Sequence, residues 1–175
     1  SQTVRRSADD ATRLVLLENS LMEATQTVVD IYSRYLFESA VIEARKTHIP
    51  SAQELNGFML DAQEQSYGDG LSKDARHPSM WVCKSHYYST GLHFYNFPYA
   101  FGLLFGLGVF VQFQKEGAAF VPKYDKLLAS CGSDTVRNVA ASVGIDVNSV
   151  DYWRSALDVV RGEINEFLAL SEKKC

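Results

Sequence analysis

Side chains that could donate hydrogen bonds to a reacting group are concentrated between residues 86 and 99. Two histidines and four tyrosines fall within these fourteen residues, and an uncharged run to Phe113 follows directly. A neutral imidazole and a phenol hydroxyl can both point a proton at an oxygen that gains negative charge in a transition state. In a water-poor cleft each such donor contributes about 3 kcal/mol. The stretch therefore predicts a polar site lining that is carried by a rigid helix.

His86, Tyr95 and Tyr99 are the candidate donors within this stretch. The two tyrosines are four residues apart, so they share one face if the following helix begins early enough. His86 lies on the preceding segment and can face the same cavity. The alternative interpretation is that these are tyrosines at the edge of the core with satisfied hydroxyls, and the residues alone leave both interpretations open.

A metal site within this chain is disfavoured. His86 and His93 are seven residues apart, and the nearest acidic residues in the sequence are Asp74 and Glu116. Two imidazoles without a carboxylate or thiolate make a poor zinc site. The sequence also contains no HExxH, CxxC or GxxxxGK[ST] motif. The three cysteines, Cys83, Cys131 and Cys175, are far apart in the sequence. Such a pattern is typical of reduced thiols in a cytosolic protein.

The composition is that of an ordinary globular protein. The chain has 175 residues, of which 46% are hydrophobic and 22% charged, so one region with its own core is expected. The net charge is −4 and no basic stripe occurs, which argues against nucleic acid or an anionic membrane as a partner. The first residues are charged and lack the apolar core of a signal peptide, so a cytoplasmic location is expected.

The hydrophobic pattern predicts helices throughout, and the fold class is all-α. Apolar residues recur at three- and four-residue steps over about residues 8 to 45, which predicts one long helix. Ser51 and Glu54 have the spacing of a capping box. A central apolar helix is expected over about residues 97 to 116, with Pro98 in its first turn. Its seventeen uncharged residues are fewer than the roughly 20 that span a bilayer, so we predict a buried helix within a single α-helical region, 1 to 175.

Several runs of residues resemble a known peptidase family. They are Tyr67-Gly68, residues 77 to 81 (His-Pro-Ser-Met-Trp), residues 84 to 88 (Lys-Ser-His-Tyr-Tyr) and residues 94 to 102 (Phe-Tyr-Asn-Phe-Pro-Tyr-Ala-Phe-Gly). Together they resemble the C-terminal part of the oligoendopeptidase F group, zinc metallopeptidases of the thimet oligopeptidase (M3) family. Residues 31 to 38 resemble the long helix that follows the zinc site in the same group. The resemblance extends from the first helix to the last.

The resemblance implies a specific division of roles. Such enzymes bind zinc through an HExxH helix and a more distal glutamate, and the glutamate of the motif activates the attacking water. These parts precede the matched region, so none of the metal ligands is expected in this chain. By position, the resemblance implies that His86 stabilises the oxyanion as a catalytic residue, together with Tyr95 or Tyr99. Tyr88 and His93 are the candidates for substrate binding, and His93 either lines the cleft or simply packs.

The expected function is therefore that of the C-terminal portion of a larger α-helical peptidase domain that hydrolyses short peptides. Alone, the chain is expected neither to bind zinc tightly nor to cleave peptides, and its partner would be the missing N-terminal part or a copy of itself. This interpretation predicts an exposed apolar face and hence self-association. The alternatives are a stand-alone helical ligand-binding protein and an interaction domain that docks a partner on residues 97 to 113.

Overall fold

A computed structural model describes residues 7 to 173, and within that range every regular element is helical. The α-helices of this range are α1 (Asp10–Thr25), α2 (Ile31–Ala44), α3 (Ala52–Tyr67), α4 (Phe97–Glu116), α5 (Val121–Ala129), α6 (Val136–Ala141) and α7 (Val150–Glu172). Short 3-10 segments connect them at Gly68–Gly70, Lys73–Ala75, Met80–Cys83, Ser85–Tyr88 and Gly117–Phe120. The prediction of an all-α fold is confirmed.

The predicted long helix is present as a helical run that contains an irregular turn. Between α1 and α2, Gln26–Asp30 form a π-helical turn, which the hydrophobic pattern did not indicate. A π-helical turn loosens the backbone hydrogen bonds around it. The Ser66 hydroxyl donates to the carbonyl of Val29 inside this turn, so α3 supplies a partner for a backbone group of the irregular segment.

The chain forms two compact units. Met22–Phe101 form one unit, and the described residues before Met22 together with those from Gly102 onward form the other. The sequence indicated one helical region over residues 1 to 175, whereas the structure distinguishes two units within it.

The unit Met22–Phe101 is built on the packing of α2 against α3. Its buried core consists of Phe37, Met59 and Ala62, with half-buried aromatic side chains packed around them. The predicted capping box begins α3: the Ser51 hydroxyl accepts from the Glu54 amide at 3.3 Å, and the Ser51 amide donates to the Glu54 carboxylate at 2.8 Å. Gly68 ends this helix with a φ of 56°. The structure therefore confirms the predicted start of this helix.

The other unit packs α4, α5, α6 and α7 around a separate core. Tyr152 lies on the backbone of Gly108, where an added Cβ would come within 2.4 Å of the tyrosine ring. Its hydroxyl donates to the carbonyl of Phe105 at 2.8 Å. Gly102 and Gly106 have the GxxxG spacing that can permit close approach of helices, but both have open space where a Cβ would stand. The glycine that permits close packing is Gly108.

The prediction that α4 is buried is wrong. Of its twenty residues only Gly108 and Val109 are buried. With α5 this helix borders an apolar groove of about 580 Å³, whose lining includes Phe105, Phe110, Phe113, Tyr124 and Leu128. The reason is that α4 is apolar around its whole circumference, and the elements packed against it in the described chain leave most of that circumference half-buried or exposed.

A stretch that includes α4 also has the length and composition of a membrane span. It runs over Phe97–Ala129, and its most apolar window of 18 residues has a mean hydropathy of 1.4, with 11% of that window buried. Gly117, with a φ of 61°, interrupts this stretch between α4 and α5. The absence of a membrane partner stays a prediction.

The exposed groove leads us to expect that the isolated chain self-associates. Leu128 lines the groove and is 52% exposed, so Leu128→Glu should shift the chain toward the monomer by placing a charge on the apolar surface. Leu168, which is 51% exposed but outside the groove, provides the matched control Leu168→Glu. Sedimentation velocity at several concentrations measures the effect. Equal behaviour of the two variants would contradict an association through the groove.

Candidate active site

The structure brings His86, Tyr95 and Tyr99 together in what we call the His–Tyr cluster. His86 lies in the 3-10 segment Ser85–Tyr88, and its ring centroid is 5.6 Å from that of Tyr95. The hydroxyl oxygens of Tyr95 and Tyr99 are 3.3 Å apart, so one hydroxyl donates to the other. Tyr99 lies in the first turn of α4 and Tyr95 just before it. All three side chains belong to the unit Met22–Phe101.

The cluster is accessible to solvent. Tyr95 and Tyr99 are 43% and 54% exposed, and His86 is half-buried. The alternative interpretation, tyrosines at the edge of the core with satisfied hydroxyls, is also compatible with this pair, because the two hydroxyls bond to each other. Their hydroxyls can reach a group outside the chain.

Tyr88 and His93, the predicted substrate-binding residues, lie elsewhere in the same unit. Both line a recess whose lining does not include His86, Tyr95 or Tyr99. The Tyr88 hydroxyl makes one long contact of 3.4 Å with the carbonyl of Val82. The structure thus separates the five predicted site residues into two groups. Substrate binding by Tyr88 and His93 stays a prediction.

A buried ion pair supports the segment that carries the cluster. Arg34 pairs with Asp30 one turn earlier, and their side chains are only 14% and 8% exposed. Nη1 of the same guanidinium donates to the side-chain oxygen of Asn96 at 3.3 Å. Since Asn96 directly follows Tyr95, this bond connects the cluster to α2. Arg34 Nε is buried with no hydrogen-bond partner among residues 7 to 173, so the ion pair is not fully satisfied.

Tyr67 extends this network from α3. Its hydroxyl donates to the second carboxylate oxygen of Asp30 at 3.3 Å. Burial, together with the negative charge of Asp30, raises the pKa of Tyr67 to about 12. We call Asp30, Arg34, Tyr67 and Asn96 the buried polar network. It joins α2, α3 and the segment before α4 into one support.

A second attachment holds the backbone between His86 and Tyr95. The Phe94 amide donates to the Glu38 carboxylate at 2.8 Å, and the Phe94 ring packs on Tyr35 with centroids 5.1 Å apart. Phe94 has a φ of 50°, which is strained for a bulky residue and costs roughly 1–3 kcal/mol. Such a conformation persists only where the surroundings enforce it. The two contacts from α2 provide that enforcement.

Protonation states in the cluster favour hydrogen-bond donation. Burial lowers the pKa of His86 below 6.5, and the positive charge of Arg34 lowers it further, so the neutral imidazole prevails at pH 7. The hydrogen bond with Tyr95 raises the pKa of the Tyr99 hydroxyl, which therefore keeps its proton. The cluster offers neutral N–H and O–H donors, which suit an oxygen that becomes negatively charged during a reaction.

The described part of the chain offers no metal site. Among residues 7 to 173, no three His, Cys, Asp or Glu side chains come close enough to share a metal ion. His86 and His93, the pair considered from the sequence, lie in different places of the unit. Cys83 and Cys131 are free and exposed, and Cys175 lies outside the described residues.

The residues that support the cluster were not predicted as site residues. A signal for one pair was present: Asp30 and Arg34 are four apart, and opposite charges at that spacing on a largely apolar helix indicate an ion pair. The contacts of Arg34 with Asn96 and of Glu38 with Phe94 join residues 62 and 56 positions apart. No periodicity in the sequence indicates such contacts.

The comparisons with known proteins agree with the resemblance. The chain is 25% identical over 171 residues to an oligoendopeptidase F homolog of Lactococcus lactis subsp. lactis (strain IL1403). It is equally similar to a plasmid-borne oligoendopeptidase F of Lactococcus lactis subsp. cremoris. Each match covers 97% of this chain but 28% of the relative, so the chain spans just over a quarter of the relatives' length. No protein-family model matches the chain, and no solved structure matches it.

Removing the carboxylate of the buried ion pair should destabilise the protein strongly. Asp30→Asn leaves the Arg34 charge buried without its partner, which costs roughly 3–5 kcal/mol of unfolding free energy. The control is Asp158→Asn, which removes an exposed ion pair with Arg161 and should cost less than about 1 kcal/mol. Urea unfolding followed by circular dichroism measures both. Similar losses in the two variants would show that Asp30 is not a structural anchor.

The pKa of His86 should depend on Arg34. The double substitution Asp30→Asn with Arg34→Gln removes the guanidinium charge without leaving an unpaired ion, so the pKa of His86 should rise. Because folding lowers this pKa, the unfolded chain binds more protons below pH 6.5, and His86 reduces stability as pH falls through that range. NMR titration of the imidazole protons measures the shift, with Arg161→Gln as the control. An unchanged pKa in the double variant would contradict the assigned cause.

Proposed function

We propose that this chain is the C-terminal portion of a cytoplasmic, zinc-dependent oligopeptidase that hydrolyses short peptides. In this proposal His86 and one of the two tyrosines, Tyr95 or Tyr99, donate hydrogen bonds to the oxyanion that forms when the scissile carbonyl is attacked. The observation that carries the proposal is the His–Tyr cluster: a histidine and a hydrogen-bonded tyrosine pair that lie together at an accessible surface, in a chain distantly similar to oligoendopeptidase F.

The proposal assigns the metal to the rest of a longer polypeptide. The described residues include no set of ligands for zinc, and the similarity covers about a quarter of the relatives' length. Zinc would polarise the carbonyl and activate water in such enzymes. The part that falls to this chain is hydrogen-bond donation and the positioning of the donors.

Donation by the cluster follows from its geometry. The hydroxyls of Tyr95 and Tyr99 already share one hydrogen bond, and the ring of His86 lies against Tyr95. An oxyanion placed against this surface would meet the imidazole and the one O–H that the tyrosine pair leaves free, next to Asn96, which the buried polar network attaches to α2. Donors that need no reorganisation at the moment of reaction stabilise charge most effectively, and each is worth about 3 kcal/mol.

The sequence upstream of Ser1 in the natural gene tests the class of the protein. We expect it to encode an HExxH motif followed by a more distal glutamate. A gene that encodes no such segment in the same or a neighbouring reading frame would remove the peptidase proposal. The stand-alone ligand-binding and interaction alternatives would then remain.

Kinetics of the longer enzyme test the roles of the donors. Tyr99→Phe should lower kcat by roughly ten- to a thousand-fold with little change in KM, because the lost bond is made in the transition state. Tyr32→Phe is the control, since Tyr32 is also an exposed tyrosine, at 48%, and its ring stacks on Tyr35 rather than on a residue of the cluster. A quenched-fluorescent peptide assay measures both parameters. The 175-residue chain alone should give no turnover.

The same assay separates the two histidines of the motif. His86→Gln should lower kcat, whereas His93→Gln should mainly raise KM, because only His86 lies in the cluster. A kcat loss confined to His93→Gln would assign the oxyanion role to His93. An equal loss from Tyr87→Phe, with Tyr99→Phe silent, would likewise show that the wrong hydroxyl had been chosen.

A further inference from the structure

The recess that contains Tyr88 and His93 has the features of a binding site. We call it the Arg45 recess. It lies within the unit Met22–Phe101 and has a volume of about 420 Å³. This size is within the usual range of small-ligand pockets, about 300–1,000 Å³. Its lining combines apolar side chains with one arginine, one glutamate and several hydroxyls.

The floor of the Arg45 recess is apolar and firmly packed. Phe37 is 3% exposed, and its ring lies 5.0 Å from that of Tyr87 and 6.5 Å from that of Trp81. Val41 lies one helical turn after Phe37 on the same face of α2, and Ile42 lies beside it. These side chains offer a preformed surface for an apolar group of a ligand.

The rim of the recess carries a cation that no residue between 7 and 173 neutralises. Arg45 follows the last residue of α2, and its guanidinium makes no ion pair or hydrogen bond with any of residues 7 to 173. The acidic residue of the lining is Glu38, whose carboxylate accepts a hydrogen bond from the Phe94 amide. Glu38 lies seven residues before Arg45, which is about 10 Å along the axis of α2. The neighbouring Lys46, in contrast, pairs with Glu43 at 2.5 Å.

Tyr87 contributes its ring to the recess, while its hydroxyl oxygen is buried and has no hydrogen-bond partner in the described part of the chain. Burial raises the pKa of this hydroxyl, and the charged side chains that also influence it include Arg34, Glu38 and Asp30 but not Arg45. The group of the recess that suits oxygen atoms is therefore the guanidinium of Arg45, above an apolar floor.

We propose that the Arg45 recess binds the C-terminal residue of a short peptide. The terminal carboxylate pairs with Arg45, and the terminal side chain, apolar in character, packs on Phe37, Val41 and Ile42. A guanidinium binds a carboxylate through two parallel hydrogen bonds, which gives directional as well as electrostatic recognition. This inference rests on the proposed function, in which short peptides are the substrates. It deepens that proposal by defining which end of the peptide the chain recognises.

Binding to the 175-residue chain tests the recess without any need for catalysis. The probes are N-acetyl-leucyl-leucine with a free carboxylate and the same dipeptide as its C-terminal amide. We expect saturable binding of the acid, followed by ¹H–¹⁵N NMR, with shift changes at Val41, Tyr87 and His93. The amide should bind about tenfold more weakly, since one charge-assisted contact is lost.

Two variants identify the cation that recognises the carboxylate. Arg45→Gln should weaken binding of the acid about tenfold, to the level of the amide, whereas Lys46→Gln removes the same charge one residue away and should have no effect. Equal binding of acid and amide would overturn the proposal. So would an unchanged preference in Arg45→Gln, or shift changes confined to Tyr95 and Tyr99.

The outcomes for the recess and for the peptidase are distinguishable. A gene without an upstream zinc motif would remove the oligopeptidase, while a carboxylate preference that depends on Arg45 would still establish the recess as a carboxylate site. Conversely, the longer enzyme could cleave peptides with an activity that does not depend on the terminal carboxylate. That result would support the peptidase proposal and contradict the proposal for the recess. Comparing kcat/KM for the free-acid and amide forms of one peptide gives this second result.

Discussion

The pairing of Arg34 with Asp30 is the interaction on which the candidate site depends. A guanidinium in a largely apolar interior is stable only with a carboxylate beside it. Once fixed there, it serves a second purpose, because it also donates to Asn96 in the segment that carries the tyrosines. Tyr67 completes the carboxylate's hydrogen bonds from α3. One buried charge pair thus determines where two helices and a site-bearing segment meet.

The placement of strain agrees with this view. Phe94 adopts a backbone conformation that its side chain disfavours, and it does so between the two donors His86 and Tyr95. The cost is met by contacts with Glu38 and Tyr35, both on α2. The same helix therefore supports the cluster through the buried pair and the connecting segment through Glu38. It also supplies Phe37, Val41 and Arg45 to the neighbouring recess.

Features that depend on interactions between residues close in sequence could be predicted, whereas features that depend on contacts between distant residues could not. The all-α class, the capping box before α3 and the extent of α4 follow from local periodicity and capping, and the structure confirms them. The π-helical turn and the Asn96 and Phe94 contacts depend on side chains from distant positions, which no local pattern reports. The burial of α4 was misjudged for a related reason. Hydrophobicity indicates that a helix surface favours burial. How many other elements actually pack against that surface depends on the tertiary structure and not on the helix's own sequence.

The hydrogen bond between the hydroxyls of Tyr95 and Tyr99 has a consequence for how the pair should be counted. When one phenol gives its proton to the other oxygen, only one O–H remains to point outward. That remaining donor is polarised by its neighbour, so the two tyrosines form a cooperative unit rather than two separate donors. Their contributions are then not independent: the energies of losing each alone need not sum to the energy of losing both. A chemical group that approaches the two tyrosines therefore meets one phenol O–H, which is a stronger donor because its oxygen accepts a hydrogen bond from the other phenol.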